Sequence, residues 1–391
     1  MHNFFTICKL LLKSKIKLKN PNKYKIVVYD DVEISSLKQV LRNYDYFTLK
    51  TRVQNIDEIY ITPDIIIKFI KNFNGNLMTS YQASLIEVIN PKIVVTFIDN
   101  SFKFSEIAKK MHSKIHFLAI QNAYRIDIGE YKHRYKKKLT ATDYRKRIFL
   151  PNFLCFGKFD IDLYKKHKIS VKKFFIVGSL RLANFFDHLK KKNINLKKSK
   201  YDICLISESS TGRNELFGIK NFEEKSALVV KYTIKFCMKF NMKFIYPLKY
   251  RDKKTELLFY RKYLTNLEYK YLEKNAISKK NNFSTYSIMY QSKVSVAIIS
   301  TLLSEQLATG RKILACNLTP TKLWDFPVNG ICFIKNCDYK LFEKRLLKIY
   351  SISEKNYLSK LQKDENYLVS FEKSLSTIKK IREKLDHFLN L

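Results

Sequence analysis

Short apolar runs alternate with amphipathic stretches of helical length along almost the whole chain. In the first half the runs at 25–29, 46–49, 58–61, 93–98, 115–120, 153–156 and 174–177 read as strands. Helices fall between them. Pro63 opens one at its first turn, and Ser101 begins another, SFKFSEIAKKM, with Glu106 in its early turns. A polar, strongly basic break at 184–200 interrupts the pattern, and the alternation then restarts: strand 202–206, helix 222–240, strand 242–246, helices 253–264 and 284–291, and a strand at 331–334. The tail, 366–389, reads as one long amphipathic helix. Such alternation predicts α/β architecture, with parallel sheets flanked by helices.

The most informative unit lies in the second half, in VSVAIISTLLSEQLATGRKIL from Val294 to Leu314. An apolar run ends in Ser300-Thr301, a short amphipathic segment carries Glu305, Gly310 stops it, and a second apolar run begins at Lys312. This strand, helix, strand order puts free N–H groups, two hydroxyls and a carboxylate at the carboxyl end of a parallel strand, where open α/β sheets hold ligands. Phosphate suits the N–H groups and hydroxyls, and Glu305 suits a ribose diol. The competing reading is an ordinary capped helix, although Glu305 stands one or two positions beyond the place a capping box needs.

Two α/β halves, 1–183 and 201–391, joined by the 184–200 linker and closed by a terminal helix, outline two Rossmann-like domains facing across a cleft, the GT-B arrangement, although doubly wound folds of other kinds share much of that outline. The first is expected to hold an acceptor and the second a nucleotide-sugar donor.

Charge changes this picture little. Lys and Arg number 74 against 35 Asp and Glu, a net +39, which must act on any anionic surface nearby. The excess is mainly Lys, spread along the chain among abundant Asn, Ile, Phe and Tyr, whereas nucleic-acid binders concentrate cations on one element. Nucleic acid is therefore disfavoured as a partner. The tract YKHRYKKK at 131–138 reads as a loop over the acceptor face or a patch for anionic lipid, rather than an RNA surface. Seven scattered cysteines with no CxxC read as buried thiols of a reducing cytosol. No run is long enough for a transmembrane helix, and the apolar-then-basic start, FFTICKLLLKSKIKLK, lacks a signal-peptide cleavage site. It reads as a plain first helix in preference to an interfacial anchor, leaving a cytoplasmic protein or one peripheral at the inner face of the membrane.

The carboxyl ends of the strands supply the candidate chemistry. In the first half they are Asp30-Asp31, Asp99-Asn100 and Gln121-Asn122 followed by Arg125, acids and amides suited to sugar hydroxyls and to removal of a proton. In the second half they are Ser207 and Ser209, then Lys249 and Arg251, then Ser300 and Thr301, suited to a nucleotide diphosphate. Asp99 is the leading base, with Asp30 and Asp31 behind it; the competing role for each is capping the helix that follows. Arg125 is placed to clamp an acidic acceptor or to pair with Asp127.

PKIVVTFIDNSFKFSEIAKK, IHFLAIQNAYR, NFLCFGKFDIDLYKK, FFIVGSLR and SVAIISTLLSEQLATGRKIL resemble the bacterial surface-carbohydrate biosynthesis proteins, GT-B-like transferases. The chain is also distantly similar to CDP-glycerol glycerophosphotransferases and UDP-N-acetylglucosamine 2-epimerases, over residues 90 to 335. The resemblance implies transfer of a sugar or related group from a nucleotide-activated donor to a glycan or lipid-linked glycan. It implies no cofactor beyond the donor, which is a substrate. Relatives tend to carry Gln-Asn-Gly where this chain has Gln121-Asn122-Ala123, which restricts the backbone there.

No metal site is expected. There is no HExxH or Cys/His cluster, Asp160 and Asp162 of FDID begin a helical stretch, and His112 and His116 straddle a change from helix to strand. Missing GxGxxG, Walker and GxSxG motifs disfavour dinucleotide, P-loop and hydrolase chemistry. Two rivals stay open: a nucleotide-sugar epimerase of the same fold, and a non-catalytic basic protein that binds RNA or acts as a scaffold.

Overall fold

The computed structural model describes residues 12–125, 145–196, 199–208, 221–249, 253–372 and 376–391. Its strands in the first half are β1 (Lys15–Lys17), β2 (Ile26–Tyr29), β3 (Tyr46–Leu49), β4 (Glu58–Tyr60), β5 (Ile93–Thr96), β6 (His116–Ile120), β7 (Phe149–Cys155) and β8 (Ser170–Ile176). The second half contributes β9 (Tyr201–Leu205), β10 (Phe244–Pro247), β11 (Ala276–Ile277), β12 (Ser292–Ala297), β13 (Lys312–Asn317) and β14 (Phe333–Lys335).

Two six-stranded sheets result, ordered β3-β2-β5-β6-β7-β8 and β11-β10-β9-β12-β13-β14. Their strand pairs are parallel. Central strands are apolar on both faces because helices cover both: every residue of β2 and β5 is buried. In each sheet the winding reverses once, between β2 and β5 and between β9 and β12. A crevice opens at such a reversal, beyond the carboxyl ends of the strands.

The structure departs from the sequence reading at several elements. The run at 58–61 forms β4, which leaves the main sheet and pairs with β1 as a separate two-stranded sheet. β7 and β8 begin about one helical turn's worth of residues earlier than the apolar runs suggest, because Pro151 and the pair Lys172-Lys173 mask their starts. β8 is a sheet edge, where charged side chains are tolerated. The helix Leu180–Lys191 occupies the start of the segment read as a linker; its Ser179 cap accepts from the Leu182 N–H at 3.3 Å. The helix Asn266–Asn275, with a Thr265/Glu268 capping box, is an addition to the pattern.

The tail is also shorter as a helix than expected, running from Thr377 to Asn390. Before it, the chain crosses between the halves: the Phe159 N–H donates to the Tyr367 carbonyl at 3.0 Å and the Ser370 N–H to the Phe156 carbonyl at 2.8 Å. Leu368 and Val369 sink into the core of the second half. The final helix then packs Ile381, Leu385 and Phe388 against Ile26, Val28 and Ile93 of the first sheet. Arg382 donates to the carbonyls of Gln39 and Val40, and the Tyr44 hydroxyl donates to Asp386 at 2.6 Å. The end of the chain therefore belongs to the first half by packing.

Candidate functional site

Both reversal crevices carry polar residues. At the first, β2 runs into Asp30, held at φ 81°, whose carboxylate accepts from the Val32 N–H at 2.9 Å and lies 3.7 Å from Arg52. Asp31 accepts from the Asn55 side-chain amide at 2.8 Å through one oxygen; the other, Oδ1, is buried with no hydrogen-bond partner among the described residues.

Asp99, beyond β5, is fully buried. Arg125 donates to both of its oxygens, through Nε at 3.0 Å and through Nη2. The Asn122 N–H adds a bond at 3.3 Å, and Arg125 also donates to the Asn122 side-chain oxygen at 2.9 Å. Asp99, Asn122 and Arg125 are thus one cluster, with the carboxylate committed to the guanidinium. Asn100 beside them is half-buried.

Gln121 has little capacity left for a ligand. Its Nε2 donates to Asp160 at 2.7 Å and to the Ala123 carbonyl at 3.1 Å, while its Oε1 accepts from the Phe156 N–H at 2.7 Å. Asp160 accepts from the Gly157 N–H at 3.2 Å at the start of the helix Lys158–Lys166. Burial pushes its carboxyl up to about 7, against the lowering effect of those hydrogen bonds.

The second crevice lies between β9 and β12. The Ser207 hydroxyl donates to the buried Glu256. Glu208 turns across to β12 and accepts from the Ile298 N–H at 2.6 Å and the Ile299 N–H at 3.1 Å, so the protein's own carboxylate occupies those amides. Ser300 then caps the helix Thr301–Ala308, its hydroxyl accepting from the Leu302 N–H at 3.4 Å. Thr301 faces the other half: its hydroxyl accepts from the Tyr124 N–H at 2.9 Å.

Glu305 is 1 % exposed. The Ser179 hydroxyl, from the first half, donates to one of its oxygens, and the Tyr286 hydroxyl donates to the other at 2.8 Å. Burial raises its pKa to about 7, opposed by these two bonds and by the Arg181 charge.

Beside Glu305 lies a cleft of about 690 Å³ lined by both halves. Arg181, Lys279, Asn282, Tyr286 and Leu302 face it, and Ser35 and Ser36 bring the first turn of the helix Ile34–Leu41 to its other wall. Burial lowers the Lys279 pKa, opposed by the Glu256 and Glu33 carboxylates and assisted by the charges of Lys249 and Arg181, so cations and acids share one field. Glu33, which also lines the cleft, pairs with Arg181 at 3.1 Å, so an anionic ligand there competes with that carboxylate. Arg181, Lys279, Glu208 and Asp160 were not read as site residues from the sequence. Arg181 alone has a local signal, in Gly178-Ser179-Leu180-Arg181 at the end of β8; Lys279 is one lysine among many.

Ser209, Arg251 and the 131–138 tract lie outside the described residues, as does most of the apolar start of the chain. Among the described residues no group of three or more His, Cys, Asp or Glu side chains is arranged to hold a metal ion, and no helix is long and apolar enough to cross a membrane.

Residues 118–384 match the model of a family described as "putative O-antigen biosynthesis protein". The chain belongs to this family. No curated protein matches it. Among solved structures it is similar to the UDP-GlcNAc 2-epimerase of Methanocaldococcus jannaschii in complex with UDP-GlcNAc and UDP, at 12 % identity and a TM-score of 0.55, covering 93 % of this chain and 99 % of that one. It is also similar to the wall teichoic acid polymerase TagF, at 11 % identity and a TM-score of 0.51, covering 94 % of this chain and 90 % of that one. These likenesses establish the fold of this O-antigen biosynthesis family member as two Rossmann-like sheets facing across a cleft, GT-B-like, as the sequence pattern led one to expect.

Proposed function

We propose that the chain binds a nucleotide-activated sugar in the cleft beside Glu305 and transfers its glycosyl group to a precursor of a surface polysaccharide. The observation that carries this reading is the convergence of Arg181, Lys279 and two helix N-termini on one cleft of about 690 Å³. Guanidinium, ammonium and helix N-termini together suit a diphosphate, and the fold is one in which a solved relative holds UDP-GlcNAc and UDP.

In this reaction the bond between the anomeric carbon and the diphosphate oxygen breaks, and charge builds on the departing nucleoside diphosphate. Arg181, Lys279 and Lys249, with the Ser300-capped helix and the Thr301 hydroxyl, stabilise that charge. Glu305 receives the ribose diol. Its oxygens now take one hydroxyl each from Ser179 and Tyr286, the same donor pattern as a diol, so a bound ribose displaces both hydroxyls, Ser179 among them. On the acceptor side Asp99 is fully engaged by Arg125 and acts by positioning it. Asp31, with one carboxylate oxygen unpartnered, takes the proton of the attacking hydroxyl.

The test is to incubate the purified protein with a panel of nucleotide sugars, with and without lipid extracted from the source membrane, and to follow the release of free nucleotide. Acceptor-dependent release supports transfer. Turnover of the donor sugar without acceptor supports the epimerase instead, and the absence of any turnover or binding sinks both.

A further inference from the structure

The helix Pro63–Asn72 needs one apolar face to hold it to the first domain, and it has two. Ile65 packs inward at 2 % exposure. On the opposite side Ile66, Ile67, Ile70 and Phe73 are 48 %, 64 %, 71 % and 54 % exposed. A surface helix normally turns such residues inward and charges its outer side.

The patch extends onto a second element. The Ile61 N–H donates to the Lys17 carbonyl at 2.9 Å, and Asn20 donates to Asp64 at 2.5 Å, so residues 17–20 run beside the first turn of the helix. Leu18, there, is 75 % exposed. Exposed apolar side chains gathered on two adjacent segments in this way mark an interaction site.

Charge decides the occupant. Segments 12–20 and 62–73 together carry six lysines, at 13, 15, 17, 19, 68 and 71, against a single acid of their own, Asp64, which is bonded to Asn20; Lys17 also pairs with Glu58 at 3.2 Å and Lys68 with Glu87 at 3.5 Å, which leaves the rim net positive. A second copy of a chain with net charge +39 would bring the same cationic rim to the contact, and like charges oppose it. An anionic lipid surface satisfies both features, taking the apolar side chains at the level of the headgroups and the lysines on the phosphates.

We infer that the outer face of the Pro63–Asn72 helix, with the neighbouring Leu18 segment, docks the protein onto an anionic membrane surface. The inference is independent of donor chemistry, since neither segment contributes a residue to the cleft described above. Docking there holds the first sheet, and the acceptor side of its cleft, near a lipid-linked substrate.

Flotation of the full chain with vesicles of phosphatidylglycerol mixed into phosphatidylcholine, and with phosphatidylcholine alone, tests it. The protein is expected to float with the anionic vesicles, less so at high salt, and the double variant Ile67→Asp/Ile70→Asp to lose about tenfold or more of this partition. Both positions are exposed, so the variant should melt at the same temperature as the parent. Lys68→Gln/Lys71→Gln is expected to weaken partition and its salt dependence. Equal partition of parent and aspartate variant overturns the inference. A parent dimer that the variant splits, with no vesicle binding by either, also overturns it and assigns the face to self-association.

Discussion

The Ser179 hydroxyl donates to the Glu305 carboxylate, joining the cap of a helix in the first half to the helix of the second half that begins at Ser300. Ser179 does two jobs with one hydroxyl, since it also accepts from the Leu182 N–H. Ser179→Ala is expected to lower stability by about 2 kcal/mol, from the lost cap and the lost donor to a buried carboxylate. If Glu305 holds the ribose, the same variant should bind donor more tightly, because the competing hydroxyl is gone. Chemical denaturation reads the first effect and titration calorimetry the second; unchanged or weaker donor affinity would count against the ribose role.

Glu305 and Asp160 are both buried with pKa values raised to about 7. Below the ordinary carboxyl range both folded and unfolded chains hold these protons. Between that range and about 7 only the folded protein does, so stability falls as pH rises through the window and levels off above it. The magnitude is on the order of 3 kcal/mol per group. Unfolding free energies measured by chemical denaturation from pH 4 to pH 8 should therefore show a descending slope on the scale of about 1.4 kcal/mol per pH unit and group, and Glu305→Gln and Asp160→Asn should each flatten it relative to the parent.

Gly178, immediately before Ser179, has φ +87°, and a Cβ built there would stand 2.2 Å from the Ser370 carbonyl oxygen. Gly178→Ala must both adopt an unfavourable backbone and push the returning chain away. The expected loss is about 3 kcal/mol or more, measured as a lower denaturation midpoint. A neutral result would mean that the crossing segment 366–370 is not held against the first half.

Breaking the Asp99–Arg125 pair tests the acceptor side. Arg125→Met leaves a fully buried carboxylate without its cation and is expected to cost about 3–5 kcal/mol. The double variant Asp99→Asn/Arg125→Met should recover part of that stability, which a denaturation cycle over the two singles and the double would reveal.

Much of the fold was legible because period and strand length follow directly from burial. β2, β3, β5 and β6 are apolar runs whose positions agree with the sequence reading to within a few residues. Edges were harder, since β8 has three exposed or charged residues in its first four, and the two-residue β11 lacks a pattern of its own. Asp99 and Ser300 stand at strand ends as the sequence pattern suggests, with Arg125 and Glu305 a few residues further on, but their partners come from distant positions. Pairing of Arg125 with Asp99 and of Glu305 with Ser179 depends on how distant segments meet, and local periodicity carries no such information; Asp127, the other partner considered for Arg125, lies outside the described residues. The terminal helix shows the same limit: its amphipathic stripe was visible, whereas its packing on the first sheet was not.

The function proposed above stands on nucleotide-sugar binding in the cleft beside Glu305. Titration calorimetry of the full chain against nucleotide sugars of several bases and sugars tests it most directly, with Arg181→Ala and Lys279→Ala run in parallel. Saturable binding of at least one donor is expected, weakened about tenfold or more by either substitution, with the corresponding free nucleoside binding far less tightly. Binding of no donor, or donor binding that both substitutions leave unchanged, would contradict it.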